Sequence, residues 1–332
     1  MIKTARQLIE APSNLSHVVV LGAGASRAAF PNGDAAGQLL PVMDNLIDIV
    51  KLRPLIEQAG LKGSSKKNFE VIYAQLASDP RHVHIVREIE HRIEMYFSAL
   101  LLPNRATIYD RLLLSLRPTD TVITFNWDPF LFDAYQRNRN AVPLPEISFL
   151  HGNVRIGTCL DHNEWGAREE RCSVCSASFT KVPLLYPITQ KDYSTNPYIK
   201  RNWDSARELF TGAFTLTIFG YGAPDSDNDA VELLRLAWIS ERDRRYEHIQ
   251  IIDTGDQSLL EKRWSSFTPT RHYSFKTTFE QSRVGRWPRR SCESLFYTMT
   301  QGIPCENFSL PNTDNITELQ TYAANIASHE GT

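Results

Sequence analysis

The chain has 332 residues, 42% hydrophobic and 22% charged, enough to bury a sizeable core in one large domain with insertions or in two smaller ones. Its formal net charge of -2 supplies no global basic field for nucleic acid, and no apolar run approaches the roughly 18 residues of a membrane-spanning helix. Five irregularly spaced cysteines make no disulfide framework. The start "MIKTARQLIEAPSNLSHVVVLGAG" lacks signal-peptide order, so the chain reads as soluble, cytoplasmic and reduced.

Val18 to Leu21 is a short apolar run, the composition of a strand buried on both faces of a parallel sheet. Beyond a glycine turn, Leu39, Met43, Leu46, Ile47 and Val50 recur at helical spacing and predict one long helix. "NFEVIYAQLAS" and "HIVREIEHRIEMYFSALLLP" predict two more, so a helical insert is expected over about residues 51–103. "TDTVITFNWD" and "ISFLHG" predict the second and third strands. "CLDHNEWGAREERCSVCSASF" breaks the rhythm, with its polarity in turn residues, and marks a small separate module over about 152–182. "AFTLTIFGYGAPDSDND" predicts a fourth strand ending in glycines, then a helix, "AVELLRLAWISERDRR". "HIQIIDTGD" predicts a fifth strand with an acidic tip, and Phe210 and Phe214 read as core. A main domain over 1–281 is expected, followed by a C-terminal extension over 282–332. There "RVGRWPRR" reads either as an oligomer or partner surface or as a basic loop beside an outer helix.

Strands alternating with helices predict an α/β fold, an open parallel sheet with helices on both faces, and such sheets bind ligands at the carboxyl ends of their strands. The chemistry-bearing motifs all fall at those ends. "GAGAS", Gly22 to Ser26, lets backbone amides approach a phosphate, and a helix N-terminus behind it adds its dipole; the same turn also serves a ligand-free junction. "TFNWD" sets Asn126 and Asp128 at a strand tip, where they can bond ribose hydroxyls, a water or a carboxamide. Asp128 reads equally as the cap of the helix starting at Pro129. His151 follows the third strand and is placed for general base work or for a structural role. Asp225, Asp227 and Asp229 lack the distal glutamate of a calcium loop and read as a helix cap with a nucleotide contact. Cys159, His162, Cys172 and Cys175 form a C-x-x-H and a C-x-x-C flanking a polar loop, a donor set suited to tetrahedral zinc, or else a metal-free loop with free thiols.

The order GAGAS, TFNWD, LHG, cysteine pairs and a strand ending in GYG resembles the sirtuin family, and within it the prokaryotic, defence-associated branch, over roughly residues 17–256. The resemblance implies a Rossmann-like fold with NAD as the bound nucleotide and substrate. It places Gly22, Ala23, Gly24 and Ser26 at the diphosphate, with Ala25 and Thr124 in the same nucleotide-binding set. Asn126 and Asp128 fall at the nicotinamide ribose and carboxamide, and His151 at that ribose. Gly220, Tyr221, Gly222 and Asp253 fall on the adenosine side, with Asp227 beside them. It also implies a structural zinc ribbon, with His162 in place of the usual fourth cysteine.

Three departures bear on activity. Deacylases carry G-I-P-D-F-R after the first turn, where this chain has "AAFPNGD" without arginine. Their T-Q-N-I-D is "TFNWD", which puts Phe125 at a polar position. No V-F-F-G-E segment, which pairs with the acyl-lysine peptide, is present; "LLYPITQKDY" stands in that region. These differences favour an NAD glycohydrolase over a protein deacylase or a non-catalytic NAD or ADP-ribose binding module. For a defence-associated hydrolase the resemblance implies control by a partner protein, a signal or homo-oligomerisation.

Overall fold

The apolar runs become strands: β1 (His17–Leu21), β2 (Thr121–Thr124), β3 (Glu146–Phe149), β4 (Ile156–Cys159), β5 (Glu164–Ala167), β6 (Thr180–Lys181), β7 (Thr215–Phe219), β8 (Ile249–Ile252) and β9 (Tyr273–Lys276). Six of them make one sheet in the order β3-β2-β1-β7-β8-β9, every neighbouring pair parallel. The remaining three form a small antiparallel sheet, β5-β4-β6. This computed structural model describes residues 2–61, 68–188, 193–194, 196–239, 248–267 and 273–330.

Burial follows position in the sheet. The central strands β1, β2, β7 and β8 are buried along their whole length, whereas the edge strands β3 and β9 are partly open. Two-sided burial requires the near-continuous Val, Ile and Leu content that made the central strands recognisable. Helices cover both faces: Ile108–Leu114 packs on Phe130–Asn138, and Pro197–Gly212 packs on Asn228–Ile239. Strand order reverses between β1 and β7, the topological switch point of a doubly wound, Rossmann-type sheet.

The expected long helix after the glycine turn does not form. Instead a seven-residue helix, Ala23–Ala29, starts at the turn itself, and only Leu46–Ile49 and Arg53–Gln58 are α-helical within residues 35–60. The cause is the buried Asp34 carboxylate, which accepts the amides of Ala36 and Gln38 at 2.8 Å and of Leu101 at 2.8 Å. It holds a loop where apolar spacing suggested a helix, and Pro41 continues the interruption. The two later helices of that region are Phe69–Ala77 and Val83–Ser98. The helix after β7 is Asn228–Ile239; its expected continuation over 240–245 lies outside the described residues.

The amino ends of the strands are tied to the C-terminal segment by buried polar contacts. His17 Nδ1 is 2.7 Å from Ser291 Oγ, and its Nε2 is 2.8 Å from Thr217 Oγ1. Its amide donates to Asp120 Oδ1 at 2.9 Å, and Arg117 pairs with Glu293 at 3.0 Å. Arg289 forms a 2.6 Å ion pair with Glu330 and donates to Leu116 O at 2.7 Å, while Arg290 donates to Ile9 O. Both arginines are 1% exposed, so these two charges of "RVGRWPRR" face inward and are not part of a partner surface.

Burial lowers the His17 pKa from 6.5 to about 3, and the charges of Arg283 and Arg117 add to the shift. Between those two values the unfolded chain binds a proton that the folded chain excludes. The stability from this neutral histidine is therefore complete above about pH 6.5 and is lost as pH falls toward about 3. His17→Gln is expected to remove on the order of 2 kcal/mol of pH-dependent stability between about pH 7 and about pH 5. Urea titrations of both proteins at each pH check this. Asp128, whose pKa is raised to about 6, opposes the trend in both proteins, so the difference between them is the informative quantity. Parallel pH slopes would show that His17 is not the linked group.

Candidate active site and metal centre

The turns after β1 and β7 meet in direct backbone contact. Gly22 N–H donates to Phe219 O at 3.1 Å, and Gly24 N–H donates to Gly220 O at 2.9 Å. A Cβ on Gly220, whose φ is +59, would lie 2.1 Å from Ala25 N, and one on Gly24 would lie 2.8 Å from Gly220 Cα. The glycines at these positions are thus required by the contact between turns. Two amides that the sequence offered to a phosphate are already bonded across the switch point.

A buried network lies beneath this turn. Asn126 Nδ2 donates to Gly22 O at 3.0 Å and is 3.0 Å from Ser26 Oγ. Gly22 O can only accept, so the amide nitrogen is the inward atom, and Asn126 Oδ1 is turned away from the network. Ser26 Oγ is 2.6 Å from Asp128 Oδ2 and 2.5 Å from Tyr109 OH, on the helix Ile108–Leu114. Asp128 also accepts the Phe130 amide at 3.3 Å, at the start of the helix Phe130–Asn138, whose N-cap residue is Pro129. Burial raises the Asp128 pKa to about 6 against the lowering effect of the Ser26 hydrogen bond.

Opposite stand His151, Phe125, Tyr221 and Asp227. Phe125 stacks on Tyr221 with centroids 4.2 Å apart and meets the His151 ring edge-on at 4.8 Å. Tyr221 OH donates to Asp227 Oδ2 at 2.9 Å, and Asp227 Oδ1 is 3.8 Å from His151 Nε2.

These two walls enclose a cavity of about 360 Å³ at the switch point. Gly22, Ala23, Gly24, Ser26, Asn126, Asp128, His151, Gly220, Tyr221, Gly222 and Asp227 line it. Three expected residues are not among its described lining. Ala25 is packed into the core, Thr124 uses Oγ1 to accept the Asn126 amide at 3.1 Å, and Asp253 caps the Gly255 amide at 2.7 Å.

The sequence reading missed several lining groups. Leu40 to Asp44 enter from the loop that Asp34 organises, and Glu70 and Phe97 enter from the helical region. Arg263, on the helix Gln257–Trp264, donates to Gly222 O at 2.5 Å at the exposed rim. Trp127 lines the cavity and carries a buried indole N–H without an acceptor among the described residues. Only Trp127 sits in a motif, TFNWD, where it was given no role; tertiary packing brings the others there.

At the small sheet, Cys159, His162, Cys172 and Cys175 place their donor atoms within 4.8 Å of one another. Sγ of Cys159 is 3.8 Å from Sγ of Cys175, and His162 Nδ1 is 3.5 Å from both Cys159 and Cys172 sulfurs. A tetrahedron with Zn–S near 2.3 Å and Zn–N near 2.0 Å has S–S edges of about 3.8 Å and S–N edges of about 3.5 Å. The donor set therefore fits zinc, with all four positions filled by protein. Left-handed Asn163 and Ser176, at φ 52 and 59, turn the two knuckles toward each other.

No family model matches the chain, and no curated protein matches it. Its structural neighbours among solved proteins are Sir2 homologues. A Sir2 homologue–NAD complex is similar over 89% of this chain and 94% of that one, at 14% identity and a TM-score of 0.44. A mutant Sir2 homologue bound to ADP-ribose is similar over 87% and 92%, at 16% identity and a TM-score of 0.39. Among the described residues, no helix is long and apolar enough to cross a membrane.

Proposed function

We propose that this chain is a sirtuin-like NAD glycohydrolase, cleaving NAD and water to nicotinamide, ADP-ribose and a proton, and that it acts as the regulated effector of a bacterial anti-phage system. One observation carries the reading: Asn126 has its amide nitrogen fixed to Gly22 O, its opposite oxygen is unused by that network, and it shares the switch-point cavity with His151 and Asp128. A cavity of about 360 Å³ lies within the range of roughly 300–1,000 Å³ for small-molecule sites.

Breaking the N-glycosidic bond builds positive charge on the ribose. Asn126 Oδ1 accepts a hydrogen bond from the attacking water and orients it toward the anomeric carbon. His151, with Asp227 Oδ1 3.8 Å from its Nε2, takes the proton released from that water or from a ribose hydroxyl. Asp128 holds the carboxamide of the leaving nicotinamide. Arg263 at the rim supplies a cation for the diphosphate, which compensates for the turn amides already bonded to carbonyls. The idle Trp127 N–H finds its acceptor in the bound nucleotide.

Water is the acceptor in this reading. Val182 to Ile188, in the region where a deacylase pairs with its peptide, contain no strand among the described residues. Phe125 stacked on Tyr221 keeps the nicotinamide side dry. An unregulated hydrolase would drain its host of NAD, so a homo-oligomer or a partner protein from the same system is expected to gate it. Incubation of the activated protein with NAD, alone and with acetyl-lysine peptide, should release nicotinamide and ADP-ribose in both cases. Peptide-dependent turnover with O-acetyl-ADP-ribose would replace this reading by deacylation, and a cyclic product would overturn water as the acceptor.

A further inference from the structure

Tyr109 belongs to none of the motifs, yet its hydroxyl reaches the centre of the site. It is fully buried, 2.5 Å from Ser26 Oγ and 3.3 Å from Asn126 Nδ2. An amide nitrogen cannot accept, so the phenol proton goes to Ser26 Oγ. Ser26 then directs its single proton to Asp128 Oδ2, 2.6 Å away. The direction of the whole chain, Tyr109 to Ser26 to Asp128, follows from donor and acceptor chemistry. The phenol oxygen also receives the Asn126 side-chain amide at 3.3 Å.

We propose that Tyr109 is a positioning residue of this site, which keeps Ser26 turned as a donor to Asp128 and steadies Asn126 with its carbonyl oxygen directed away from Ser26, toward the cavity. While Tyr109 donates, Ser26 gives Asp128 a hydrogen bond that is stronger to the carboxylate than to the neutral acid. Without the phenol, Ser26 is free to turn and accept a proton from neutral Asp128, so the acid form gains a partner. The charged groups around Asp128 leave this balance to Ser26. Asp133, on the next helix, is paired with Arg155 at 3.2 Å, and His151, on the other wall, has Asp227 Oδ1 3.8 Å from its Nε2.

The kinetic test rests on the hydrolase reading; a second readout does not. In Tyr109→Phe, the acid limb of the kcat profile should move up by about one pH unit and kcat should fall about tenfold, with KM for NAD and the melting temperature near the wild-type values. Adding Ser26→Ala should cost no more than Ser26→Ala alone. An unmoved acid limb, or a loss that follows a lowered melting temperature, would overturn the proposal while nicotinamide release by the wild type kept the hydrolase reading intact. If the wild type releases no nicotinamide, that reading fails. The Asp128 carboxyl titration, followed by carbon-13 resonance in wild type and Tyr109→Phe, then decides: an upward shift supports the positioning role and identical curves end it.

Discussion

Asn126→Ala is expected to lower nicotinamide release by about 10²–10⁴-fold while the protein still folds and binds NAD. The side chain has two separable jobs. Its nitrogen satisfies Gly22 O at 3.0 Å and so braces the first turn, while its oxygen is the group proposed to hold the attacking water. Alanine removes both; Gly22 O keeps the Ala25 amide at 3.0 Å, so the lost hydrogen bond costs about 0.5–1.5 kcal/mol of stability. Calorimetric titration with NAD, thermal melts and chromatography of the products separate the two effects. A melting temperature a few degrees lower with retained binding and lost turnover assigns the chemistry to Asn126. Full turnover by the folded variant would remove it from the mechanism, and lost binding that tracks instability would make it a brace for the turn. His151→Ala should behave alike without the cost to the turn.

Near-stoichiometric zinc, one ion per chain, is the second expected result, lost on Cys172→Ser. The module has little else to hold it: β6 is two residues long, and Leu160, Trp165 and Val174 are 57%, 45% and 64% exposed. Structural zinc supplies apparent folding energies of about 10–16 kcal/mol in comparable small sites, so chelation should melt this module outright. Glu94, on the helix Val83–Ser98, bonds both Arg168 and Lys181, at 3.2 and 2.5 Å, and ties the module to the main body. Limited proteolysis after chelation should therefore cut within about residues 159–181 before the main sheet opens. Elemental analysis and the cleavage map check this. A metal-free protein of equal stability would remove the zinc assignment.

The parts of the molecule legible in the sequence were those where one local rule decides the outcome. Val18 to Leu21 and Thr215 to Phe219 are buried on both faces, and apolar content announced them. The glycines were recognisable because a Cβ does not fit where the turns after β1 and β7 touch. The edge strand Tyr273–Lys276 escaped because half-buried strands need little apolar sequence. The helix Pro197–Gly212 carried a signal that went unread: Asn196 accepts the Tyr198 and Ile199 amides, and Pro197 follows it. Tyr109 and Arg263 enter the site from helices whose own periodicity says nothing about a ligand. The predicted helix over 35–60 failed because one buried carboxylate, Asp34, outweighs apolar spacing by satisfying three amides at once.

The central position of β1 has a kinetic consequence. This strand comes first in the chain, but its two neighbours begin about one hundred and about two hundred residues later, where Val18 meets Thr121 and His17 meets Thr215. The seam that builds the nucleotide cavity therefore closes over very long loops, and such pairings are slow because chain entropy must be lost before the contact returns anything. Local ordering in between shortens the free chain. The zinc knuckles close over only a short stretch between β3 and β7, and closure cost varies with the logarithm of length, so the docking of β2 and β3 ahead of β7 does most to shorten the loop between β1 and β7.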